Sequence, residues 1–197
     1  MHEATLENQT QARVDVPGSI FLVGMMGAGK TSVGRVLAKR LQKTFYDSDH
    51  VIEDRTGVKI PVIFEIEGEA GFRVRESAVV DELTALRDIV LATGGGAVLS
   101  EKNRDRLRTR GTVVYLRASV RDLLSRTRHD KNRPLLLQAA DPRARLTELY
   151  DKRDPLYREV AHLTVDTGNQ SLTSLVNRLC QMLLETRSEQ QTQAPQA

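Results

Sequence analysis

The chain of 197 residues has a single cysteine, Cys180, so no internal disulfide can hold it together. Cys180 lies on the apolar side of a C-terminal helical pattern, which points to a packed thiol rather than a reactive one. No apolar run approaches the length of a membrane span. The first residues, Met1 to Pro17, set Glu3, Glu7 and Asp15 against one arginine, Arg13, and so lack the charge pattern of a signal or transit peptide. Aromatic residues make up only 4% of the chain. Few of them interleave the basic stretch 102–158, where sixteen Lys and Arg face seven Asp and Glu. With no recognition motif either, that excess argues poorly for a nucleic-acid surface. Part of it reads as a solvated helix face carrying Arg104, Arg106, Arg108 and Arg110, and the rest as groups that hold anionic ligands. No internal repeat, interdomain linker or extended heptad is present. These absences predict a single soluble, cytoplasmic, monomeric α/β domain with no nucleic-acid or membrane partner.

What is present begins with Gly24-Met25-Met26-Gly27-Ala28-Gly29-Lys30-Thr31. It fits G-x-x-x-x-G-K-[ST] at every fixed position. The apolar run Ile20-Phe21-Leu22-Val23 before it reads as a buried strand, and Val33, Val36, Leu37 and Leu41 after it mark one face of a helix. Strand, glycine loop and helix together make a phosphate-binding P-loop. Glycines let successive N–H groups turn inward on phosphate, and the helix adds unpaired N–H groups and its positive dipole end. Lys30 is placed to reach the β- and γ-phosphates and the Thr31 hydroxyl to ligate Mg²⁺. The motif predicts a nucleoside triphosphate and leaves the acceptor open.

The order is βαβα throughout. Strands are expected over 19–24, 45–47, 89–93, 112–117 and 163–166. Helices are expected over 30–42, 49–56, about 61–67, about 69–87, 101–110, 119–127, 143–153 (ahead of Pro155) and after Ser171. Alternation of this kind implies a parallel sheet covered by helices on both faces, with ligands beyond the carboxyl ends of the strands. The P-loop, Asp47-Ser48-Asp49 and Gly94-Gly95-Gly96 each follow such a strand, so the three should meet at one rim. Two readings compete for the aspartates. They cap a helix, or one helps hold Mg²⁺ while the other orients a substrate hydroxyl. No apolar strand ends in the usual second aspartate of P-loop enzymes, and Asp47 is the natural substitute. The glycines are a flexible turn or a close approach of backbone N–H donors to a ligand, and at this rim the second is preferred. The polar segment 128–142 is long for a connection and reads as a lid that closes over phosphates and excludes water. Arg73 and Arg153 do not stand out among the many arginines on these grounds.

Taken together, the P-loop, Phe45-Tyr46-Asp47-Ser48-Asp49, Gly71-Phe72-Arg73, Gly94-Gly95-Gly96-Ala97-Val98, Asn132-Arg133-Pro134-Leu135-Leu136 and Arg153-Asp154-Pro155-Leu156-Tyr157 closely resemble the shikimate kinase family. The resemblance runs in order from about 18 to 184. It leaves residues 1–17 and 185–197 as an extension and a Gln-rich tail, both expected to be disordered. It implies a nucleoside-monophosphate-kinase-like P-loop fold in three layers, with a five-stranded parallel sheet of order 2-3-1-4-5 and a lid. It implies transfer of the ATP γ-phosphoryl to the 3-hydroxyl of shikimate, with Mg²⁺, in aromatic amino-acid biosynthesis. By the family pattern Asp49, Arg73, Gly95 and Arg153 match shikimate-binding positions, with Gly94 and Gly96 beside them. Gly27, Ala28, Gly29, Lys30, Thr31 and Ser32 match the phosphate cradle, and Thr31 the Mg²⁺ ligand. Arg133 matches the lid arginine, and Gln170 aligns with a position near adenine. A carboxylate with three ring hydroxyls suits two arginines and one aspartate. The alternatives are a kinase of gluconate or a nucleoside monophosphate, and a non-catalytic or nucleic-acid-linked ATP-binding module.

Overall fold

The computed structural model describes residues 16–128, 139–168 and 170–192, the side chains of 187–192 excepted. Five strands form one parallel sheet: β1 (Ile20–Val23), β2 (Thr44–Asp47), β3 (Ile89–Ala92), β4 (Thr112–Arg117) and β5 (Leu163–Asp166). Their order is β2-β3-β1-β4-β5, as the family resemblance implies. β1 and β3 are buried at every position, which is why both read as unbroken apolar runs rather than alternating ones. Phe21 pairs with Leu91 on one side and Val113 on the other, while Tyr46 pairs with Leu91 across the β2 edge. This register ends β1, β2 and β3 at one level, so the P-loop, Asp47 and the glycines follow at the same rim.

The helices are α1 (Lys30–Leu41), α2 (Ser48–Thr56), α3 (Ile60–Thr84), α4 (Glu101–Arg110), α5 (Val120–Thr127), α6 (Pro142–Val160) and α7 (Leu172–Thr192). A 3₁₀ turn over Ala97–Leu99 follows the glycines. α3 is interrupted at Gly68, whose φ of 70° is left-handed, which agrees with the two helices expected on either side of that residue. Its end at Thr84 falls short of the expected 87. α6 departs further: it continues through Pro155 to Val160 instead of stopping at 153. Proline removes one intrahelical donor, but the carbonyl it would have served belongs to exposed Asp151, where water can satisfy it. Burial of Tyr157 and Val160 holds the last turn against the sheet. α7 likewise runs past the expected boundary at 184, because nothing between 185 and 192 breaks a helix.

At the other end Val16 is already buried in the core. Residues 1–15 of the expected extension, residues 129–138 of the expected lid with Arg133, and residues 193–197 of the expected tail lie outside the described residues. Among the described residues no helix is long and apolar enough to cross a membrane.

Candidate active site

The donor side is set by two backbone constraints. Gly24 leaves β1 with φ 142°, and a Cβ there would lie 2.5 Å from the Leu116 carbonyl oxygen on β4. Only glycine lets the chain turn here, and the turn throws the loop over the sheet's end. Gly29, also left-handed, then starts α1. Lys30 Nζ donates to the carbonyls of Gly24 at 2.7 Å and Met25 at 2.9 Å, so the ammonium lies along the loop. Thr31 Oγ1 donates to Asp47 Oδ2 at 2.7 Å. Asp47 Oδ1 accepts from the Asp49 N–H at 3.0 Å. One oxygen of this aspartate thus caps α2, as the first reading has it, and the other accepts from the P-loop threonine.

These groups line a cleft of about 450 Å³ that also receives Gly27, Gly29, Ser32, Asp49, Thr93, Gly95 and Arg126. Hard oxygens from Thr31 and Asp47 suit a magnesium ion that takes its remaining ligands from phosphate and water. Among the described residues no group of three or more His, Cys, Asp or Glu could hold a metal ion.

The acceptor side is built around Gly94-Gly95-Gly96. The Gly94 N–H donates to the buried Ser48 hydroxyl at 2.8 Å, tying the turn to the start of α2. A Cβ on Gly94 would lie 2.5 Å from Glu76 Oε1 and 2.7 Å from Asp49 Oδ1. A Cβ on Gly96 would collide with the Arg73 guanidinium. Close approach of neighbouring side chains accounts for Gly94 and Gly96, while a Cβ on Gly95 would meet only ordinary contacts. Arg153 comes from the other side, donating from Nη1 to the Gly95 carbonyl at 3.3 Å. Asp49, Arg73 and Arg153, which lie far apart in sequence, thus surround one turn.

The electrostatics follow from burial. Glu76 is 1% exposed and pairs with Arg73 Nη1 at 2.7 Å, while Glu69 takes the other edge of that guanidinium at 2.8 Å. Burial pushes the Glu76 carboxyl up to about 6; Arg73 pulls it down, and the Asp49 carboxylate adds to the rise. Burial also works against the charge on Arg73, but Glu76 and Glu69 outweigh it and raise its pKa. Arg153 lacks such a partner: burial first, then the like charge of Arg73, lowers its pKa. Its buried Nε has no hydrogen-bond partner among the described residues. A buried guanidinium in that condition calls for an anion.

Sequence reasoning missed several neighbours of these groups. Glu76 shares the buried face of Phe72, Val79, Val80 and Leu83, so a charge at a core position was the available signal. Arg126 had none. It reaches the cleft because α5 packs on Gly27, and it donates to Thr167 Oγ1 at 3.1 Å and Thr167 O at 2.9 Å. Gln170, expected near adenine, does not line the cleft and donates back to the Asp166 carbonyl at 2.7 Å.

A family model for shikimate kinase matches residues 26–184. The chain belongs to the shikimate kinase family. Similar members include the shikimate kinase of Nitrosospira multiformis, 64% identical over 166 residues, covering 84% of this chain and 85% of that one. Another, from Thiobacillus denitrificans, is 65% identical over 161 residues, 82% of this chain and 87% of that one. Among solved structures, the shikimate kinase of Acinetobacter baumannii in complex with shikimate is 52% identical with a TM-score of 0.84, over 88% of this chain and 96% of that one.

Proposed function

We propose that this chain transfers the γ-phosphoryl group of ATP to the 3-hydroxyl of shikimate, giving shikimate 3-phosphate and ADP. The observation that carries this reading is the convergence of Asp49, Arg73 and Arg153 on one glycine turn, of which Gly95, together with Asp49, lines the same cleft as the P-loop. The P-loop N–H groups of Gly27 to Ser32 cradle the phosphates, and Lys30 neutralises the charge that develops on the transferring group. Thr31 and Asp47 would hold Mg²⁺, which supplies charge neutralisation across the β- and γ-phosphates. Arg126 meets the nucleotide from α5, and Arg133 joins it at the phosphates as the family pattern implies.

On the acceptor side, Arg73 and Arg153 bind the shikimate carboxylate, with Gly94, Gly95 and Gly96 beside them. Asp49 accepts a hydrogen bond from the ring hydroxyl and aims its oxygen at the γ-phosphorus. That oxygen bonds to phosphorus as the bridging bond to ADP breaks, and Asp49 takes the released proton. The protein is read as a soluble cytoplasmic monomer with small-molecule partners, acting in aromatic amino-acid biosynthesis.

ADP release measured with shikimate, gluconate, AMP and CMP tests the reading. Stimulation by shikimate alone is expected. Stimulation by gluconate without shikimate would contradict it.

A further inference from the structure

Tyr157 takes no part in the steps above, yet it is the most constrained side chain near the site. It is fully buried on α6. Its hydroxyl donates to the Gly95 carbonyl at 2.5 Å and reaches Met25 Sδ on the P-loop at 3.7 Å. One turn earlier, Arg153 donates to the same carbonyl. The ring stacks on Tyr115 of β4, with centroids 5.0 Å apart and planes at 29°. Tyr115 in turn donates to Asp154 of α6 at 2.7 Å, and Asp154 accepts from Arg158 at 2.6 Å. The phenol is therefore locked at ring and hydroxyl alike. Burial raises its pKa, so it remains a donor throughout the neutral range.

The carbonyl it holds sits at a sensitive point. Gly95 lies against the P-loop: a Cβ there would be in van der Waals contact with the Met26 nitrogen at 3.4 Å and the Gly24 oxygen at 3.6 Å. In a planar trans peptide the N–H of the next residue points opposite to the carbonyl. Fixing Gly95 C=O toward α6 therefore fixes Gly96 N–H in the opposite direction, on the residue against which Arg73 rests.

We infer that Tyr157 is a positioning residue for the acceptor: its hydroxyl sets the plane of the Gly95–Gly96 peptide and so the geometry of the turn that Asp49, Arg73 and Arg153 surround. It does not touch substrate. It acts through the turn, at the place where the turn meets the P-loop. Misplacement of a bound reactant by a fraction of an ångström is enough to slow transfer. The inference rests on the acceptor assignment proposed above.

The test is Tyr157→Phe, which keeps the ring, the stack and the volume. Gly95 O retains the Arg153 donor, so the variant leaves no buried carbonyl unpaired. Ser19→Ala is the control: Ser19 is also buried, donates to Leu86 O at 3.0 Å, and sits at the other end of the sheet. Melting curves and steady-state kinetics are measured for parent, variant and control. Tyr157→Phe is expected to raise the shikimate KM several-fold and lower kcat by roughly tenfold, with the ATP KM within about twofold of the parent. Ser19→Ala is expected to lower the melting temperature and leave all three constants unchanged. Kinetics in Tyr157→Phe equal to the parent's would overturn the inference. So would a loss of rate with both KM values unchanged, or an ATP KM that rises as far as the shikimate KM. If the parent itself does not phosphorylate shikimate, the functional reading fails instead, and the parent alone reveals it.

Discussion

Glu76 holds Arg73 from a position nearly sealed from water. Its folded pKa of about 6 lies above the ordinary 4.5, so the native state binds this proton more readily than the unfolded chain. The associated stability is therefore fully present below 4.5 and is lost as pH rises through about 6, a difference on the order of 2 kcal/mol. Function is expected to run the other way, because the charged form of Glu76 pairs with Arg73 more strongly than the neutral one. A pH profile of kcat/KM for shikimate is expected to fall on the acid side with an apparent pKa near 6. Glu76→Gln should lower the plateau and remove that limb; a limb that survives in Glu76→Gln would assign the titration elsewhere. Asp49 is separable from the donor side in the same spirit. Asp49→Asn should abolish turnover while a calorimetric titration with an ATP analogue changes little, whereas Lys30→Ala should lose nucleotide affinity. Equal losses in the two titrations would remove Asp49 from the acceptor role.

At the scale of elements, the P-loop unit depends on how tightly α1 lies on the sheet. A Cβ at Gly34 would lie 2.5 Å from the Phe45 ring and 3.2 Å from Leu22. Gly34→Ala is expected to cost about 1–3 kcal/mol in denaturant unfolding, by overpacking. A stabilised variant would mean that helix propensity outweighs that contact. The strands and α1 were legible because their signals are local: buried apolar runs, one helical face, a motif at fixed spacing. The break at Gly68 was legible for the same reason. Continuation of α6 through Pro155 was not, because it depends on where Tyr157 and Val160 land on the sheet. The acceptor side divided along the same line. Asp47, Asp49 and the glycines were readable from strand ends alone. Arg73 and Arg153 could be picked out only by family resemblance, since among so many arginines nothing local distinguishes the two that meet one turn. Ser48, Arg126 and Tyr157 act through partners 41 to 132 residues away, a relation that no window of sequence contains.

Across the whole molecule, part of the basic excess of 102–158 is spent on structure. Arg106 and Arg110 both bind Asp81 of α3, Arg104 binds Glu159, Arg117 binds Asp166, Arg145 binds Glu148 and Arg158 binds Asp154. On the face read as solvated, Arg108 is exposed as expected, while Arg104, Arg106 and Arg110 tie α4 to α6 and α3, and Arg117 ties β4 to β5. These surface pairs contribute little each, and they reduce the free positive charge a polyanion would need. Among the buried arginines near the rim, Arg153 has a side-chain Nε with no hydrogen-bond partner among the described residues. The whole architecture therefore serves one arrangement: a donor loop and an acceptor turn held in contact at the end of three parallel strands.

Phosphorus and proton NMR of the product formed from ATP, Mg²⁺ and shikimate tests that arrangement most directly, because it reports which oxygen was presented to the γ-phosphorus. A single product phosphorylated at the 3-hydroxyl, in amounts equal to the ADP released, is the predicted result. ADP released with inorganic phosphate alone, or phosphate on another hydroxyl, would contradict the account.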